Sequence, residues 1–214
     1  MAAKTKKKAP APTESKYGWH FILTDHLLGY GDGRKVEVGD RLEMRILSDL
    51  TGKPIKTKLE PRLCSRGMHA SESLADAVMQ YAPGPVLCRV TVDTGLKMGT
   101  DKFCGRFRTV HAMVDFTPYL QSFFLDCLRI RRGADSATGK AIIKAAEVYF
   151  KTGVVTTLPH SQSNSFYAVQ LLLDGHSRPL SCVRDVFTLD KKNRAWAEEK
   201  LLQYAKKAGL LAKE

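Results

Sequence analysis

Cysteine is sparse in this 214-residue chain: Cys64, Cys88, Cys104, Cys127 and Cys182 are odd in number, widely spaced and contain no C-x-x-C pair. That spacing excludes a disulfide framework or a zinc ribbon and fits reduced, mostly buried thiols. No apolar run approaches the roughly 18 residues of a membrane helix, and no apolar h-region follows the charged start. A secretory leader and a membrane span are therefore not expected, and the expected compartment is cytoplasmic. A G-x-S-x-G turn is also missing, which removes the usual hydrolase nucleophile.

Negative charge is in short supply. Asp and Glu number 22 against 34 Lys and Arg, a formal net charge of +12, with a sequence pI near 9.5. Residues 1–16 hold five Lys and one Glu, and the excess is otherwise concentrated after residue 116. Such a balance favours polyanionic partners, because lysines that neutralise phosphates release condensed counterions. Nucleic acid or another acidic partner is the expected one, with Lys4, Lys6, Lys7 and Lys8 as contacts. Residues 1–16 carry no large apolar side chain and read as a disordered basic arm.

Apolar residues make up 43% of the chain, an ordinary content for a packed core. Beyond the arm it reads as an α+β chain whose β-rich half, 17–116, precedes a helical region, 117–214, packed on it. Strands are expected at 17–24, 35–38, 41–47, 86–92 and 107–114, from β-favouring and alternating residues. Ser71 is placed to cap a helix over 72–82, with Leu74, Ala77, Val78 and Tyr81 as its apolar stripe and Pro83-Gly84-Pro85 as its stop. Thr117 with Pro118 opens the next helix. Others are expected at 139–151, 165–174 and 193–208, stopped by Gly153, Gly175 and Gly209.

Several motifs carry less chemistry than they suggest. Gly133 and Gly139-Lys140-Ala141 have five residues between the glycines and no Ser or Thr for magnesium, so they are not a P-loop. Cys64, His69, Cys88, Cys104 and His111 have no zinc spacing, and no metal is expected. His160-Ser161-Gln162-Ser163-Asn164 reads as a polar loop. Arg129, Arg131 and Arg132 cluster at a helix end, where they suit both the macrodipole and a phosphate backbone.

The most distinctive stretch is Gly67-Met68-His69-Ala70-Ser71, followed by Tyr81-Ala82-Pro83-Gly84 and Asp101-Lys102. It resembles an uncharacterised domain family of bacteriophage and bacterial genomes over roughly residues 17–116. The resemblance implies a phage-type accessory or virion-associated protein, in host cytoplasm or a virion, without an enzymatic activity or cofactor to carry over. A fainter similarity links the same residues, with 86–92, to the ADP-ribosyltransferase fold. It implies an NAD pocket in which His69 takes the place of a stacking tyrosine and His20 contacts a ribose. No Glu occurs between Glu72 and Glu147, so Asp115 is the substitute for that family's glutamate. A host-defence inhibitor is the third reading.

Overall fold

The computed structural model describes residues 14–28, 32–45, 60–81, 84–130, 133–154 and 194–211. Lys4, Lys6, Lys7, Lys8, Arg131, Arg132, the 160–164 loop and the helix expected at 165–174 lie outside them. The described chain runs β1 (Ser15–Ile22), β2 (Arg41–Glu43), β3 (Met68–Ala70), α1 (Leu74–Tyr81), β4 (Val86–Asp93), β5 (Lys97–Met98), β6 (Phe103–Gly105), β7 (Phe107–Asp115), α2 (Thr117–Arg129), α3 (Ala137–Thr152) and α4 (Arg194–Lys207). This is an α+β arrangement, with the strands early and most of the helices late.

Two antiparallel sheets form. One has the order β1-β4-β7-β2, the other β3-β6-β5. Side chains alternate across a strand, so each face of the first sheet has its own partner. Ile22, Cys88, Val90, Val92, Val110 and Leu42 turn to the second sheet and meet Met68, Ala70 and Phe103 in one buried cluster. On the opposite face Trp19, Phe21 and Leu87 pack with the helices through Phe116, Phe123, Phe124, Ile142 and Leu201. Burying each of these large side chains stabilises the fold by about 1.5–3 kcal/mol relative to exposure.

The sheets touch closely because glycine lets them. A Cβ on Gly18 would stand 2.7 Å from the Phe103 ring and 2.8 Å from the Ser71 carbonyl, and one on Gly105 would stand 2.5 Å from the Asp93 carbonyl. Trp19 and Ser71 exchange two backbone hydrogen bonds, of 2.8 and 2.9 Å, which tie β1 to the end of β3.

Several local expectations need correction. The strand expected at 35–38 is a single bridge, Leu27 to Lys35, and β2 covers only the first part of 41–47. Ser71 does not cap α1. It belongs to the bridge with Trp19, the helix starts at Leu74, and Ser73 accepts from the Asp76 N–H at 3.2 Å. The sheet claims the backbone of Ser71 before the helix can use its side chain. Thr117 is already helical, and the Asp115 carboxylate accepts its N–H at 2.9 Å. By contrast, α3 ends on Gly153 in the left-handed conformation that glycine permits.

Candidate functional site

Two places on the first sheet gather chemistry. The first is the part of its helix-facing surface that the described helices leave open. Cross-strand register sets Tyr17 beside Thr91 and Thr91 beside Thr109, with Arg41 opposite Thr109 and Trp19 opposite Arg89. Between Arg89 and Val90 the register of β4 against β7 shifts, because Arg89 faces Ala112 while Val90 faces Val110. His111 is the extra residue of this bulge, and the bulge turns it outward.

Its imidazole Nε2 lies 2.5 Å from the Thr91 hydroxyl, and its ring is 5.5 Å from that of Tyr17. Tyr17 is 59% exposed, unusual for an aromatic ring in a sheet. The Arg89 guanidinium stands 4.5 Å from the Trp19 ring and 5.4 Å from the Tyr17 ring. Partial burial lowers its pKa from the usual arginine value, and the described residues place no carboxylate in an ion pair with it. Farther along, Arg41 covers the Phe107 ring at 4.4 Å and pairs with Asp93 at 2.8 Å. Arg106, also near that ring, pairs with Glu43 at 2.9 Å. The result is a shallow surface of aromatic faces interleaved with cations.

The second place is the seam where β1 and β3 part beyond the Trp19–Ser71 bridge. Arg108 projects from β7 on the same side as Val110 and is only 2% exposed. Its Nη1 donates to the His69 carbonyl at 3.2 Å, and its Nε has no partner. His20 pairs across the strands with Cys88 and so leaves β1 on that same side. Burial, then the charge of Arg108, then His69, hold the His20 imidazole well below its usual pKa. Burial also pushes Arg108 down to about 10 and the Cys88 thiol up to about 12.

His69 lies close enough to the seam for its charge to act on His20. His69 itself alternates to the face of β3 opposite Met68 and Ala70; its Nε2 is buried without a partner, as is the Ser71 hydroxyl. Burial and Lys102 lower its pKa, against a raising contact with the Gly67 backbone. His69 is the middle residue of β3. Asp115 stands elsewhere, at the exposed end of β7 opposite Val86, with its carboxylate on the first turn of α2. Arg129 is exposed at the end of α2 and pairs with Glu147 at 2.8 Å and Asp126 at 3.3 Å.

Sequence reasoning missed Tyr17, Arg89 and Arg108, and weighed His111 only as a metal ligand. The alternation of β7 carried a signal for Arg108, since it shares the parity of Val110. The others become a group only through the register of three strands. Comparison with protein-family models, curated proteins and solved structures finds no match for this chain.

Proposed function

We propose that this chain is a phage-type accessory protein that binds single-stranded nucleic acid across the part of its four-stranded sheet that the described helices leave open, with the lysine arm adding backbone contacts. The observation that carries the reading is Tyr17, exposed on the edge strand β1 with Arg89 and His111 against it. An exposed ring beside a cation on a sheet accepts an unstacked base on one and a phosphate or a second base on the other. Strand β1 lies at the sheet edge, and the sequence leading into it carries Lys4, Lys6, Lys7 and Lys8. The excess of +12 gives the electrostatic attraction that such binding requires.

Fluorescence anisotropy with a short single-stranded oligonucleotide tests this. Base stacking on an aromatic ring is worth about 1–3 kcal/mol, so Tyr17→Ala should weaken binding between about fivefold and a hundredfold. Arg89→Ala should weaken it and flatten its salt dependence. Unchanged affinity in both variants overturns the reading.

A second reading, an ADP-ribosyltransferase-like fold handling NAD, draws support from His69 lying close enough to act on His20. It is the weaker one, because the Asp115 carboxylate is engaged at α2.

A further inference from the structure

We infer that the seam between β1 and β3 is a binding site for a phosphate group, held by the Arg108 guanidinium with His20 beside it. The inference rests on Arg108, which neither functional reading uses. A guanidinium stays charged at neutral pH, and taking it out of water is costly unless its donors and its charge are both met. Among the described residues Arg108 meets neither condition. At 2% exposure its one hydrogen-bond acceptor among them is the neutral His69 carbonyl at 3.2 Å, and its Nε–H has no acceptor there.

Among the described residues the carboxylate whose charge acts most on Arg108 is Asp32. Both Asp32 oxygens are taken by Arg34, at 2.6 and 2.7 Å. The Arg34 charge also acts on Arg108, so the surroundings add positive charge where negative charge is wanted. An anion with several acceptor oxygens answers this deficit. The Nε–H and the guanidinium fork match phosphate oxygens, and the His20 imidazole, which leaves β1 on the same side, supplies a second donor. His20 keeps partial exposure and is the member of the pair that solvent reaches.

Titration of the full-length chain with inorganic phosphate at constant ionic strength, followed by phosphorus NMR, tests the site. A parallel titration with adenosine monophosphate distinguishes free phosphate from the phosphate of a nucleotide, and tighter binding of either supports the site. Saturable line broadening is expected in the wild type. It should disappear in Arg108→Met and weaken at least about tenfold in His20→Leu, the loss typical of a charge-assisted hydrogen bond. Tyr17→Ala, on the other face of the sheet, should bind phosphate as the wild type does, which separates this site from the nucleic-acid surface. If Arg108→Met does not fold, His20→Leu decides. A wild type that does not saturate with either compound, or His20→Leu binding as tightly as the wild type, overturns the inference.

Discussion

The Glu198 carboxylate accepts the Ser73 hydroxyl at 2.5 Å across 125 positions of sequence, and it also takes the N–H groups of Leu74 at 3.0 Å and Ala75 at 2.7 Å. A side chain of α4 thereby satisfies the free N–H groups that begin α1, where negative charge is also favoured by the helix dipole. Glu198→Ala should cost about 2 kcal/mol, at the upper end of N-cap losses because several bonds go at once. Urea denaturation measures it, and a midpoint equal to wild type would refute the assignment.

Ser71 and Ser73 should differ sharply when each is replaced by Ala. Ser73→Ala removes a group that both donates to Glu198 and accepts from Asp76, at a cost of about 1 kcal/mol. Ser71→Ala removes a buried hydroxyl without a partner, so its midpoint should match the wild type or exceed it. A larger loss at Ser71 than at Ser73 would reverse this account.

Acid should destabilise the fold through its histidines. His20 and His69 both have pKa values below the ordinary 6.5, chiefly through burial. The unfolded chain then binds more protons than the folded one between 6.5 and the lowered values, so stability falls as pH drops through that window. Each imidazole contributes a slope of up to about 1.4 kcal/mol per pH unit. Denaturation midpoints measured from pH 7.5 to 5 should decline, and His20→Gln should flatten the decline. A pH-independent midpoint contradicts the prediction.

Gly18→Ala should cost about 1–3 kcal/mol, the usual penalty for overpacking. The added methyl meets the Phe103 ring at 2.7 Å, but it also meets the Ser71 carbonyl at 2.8 Å, which cannot turn aside without breaking the bridge to Trp19. Thermal unfolding gives the answer, and an unchanged melting temperature would mean that the sheets approach less closely here.

Deleting residues 1–13 should leave binding weaker and less sensitive to salt. Lys4, Lys6, Lys7 and Lys8 can contribute at most about −2.8 to the slope of log K against log salt on a single strand. Lys16 stays behind in β1, paired with Glu72 at 2.8 Å. Parallel slopes for both forms would remove the arm from the interface.

The long strands β1, β4 and β7 and the helices α2, α3 and α4 were legible because alternation, helical spacing and terminal glycines act over many residues. Strands of two or three residues, such as β5 and β6, offer too few positions for a period to show. Ser71 misled because a serine before an apolar stripe is a cap by local rules, whereas its neighbour across space, Trp19, is 52 positions away in the sheet pairing. His20 and His69 were singled out from sequence, and in the fold His69 lies close enough for its charge to act on His20. Their partner Arg108 was not, since a lone arginine in a strand reads as solvated until its parity with Val110 is considered. The Tyr17 and Arg89 surface depends on register between strands far apart in sequence, which no local pattern specifies.

The cap that Glu198 supplies also sets an order of events during synthesis. Helix α1 emerges with its first turn unsatisfied, and the acidic group that closes it follows only after α2, α3 and the intervening chain. A nascent chain ending short of residue 198 therefore lacks the contact that fixes the start of α1 against the sheet. That contact forms late and spans much of the sequence, the kind of long-range closure that slows folding. Tethering α4 by a permutation that places it just before β1 should speed the closure while leaving the same three hydrogen bonds in place.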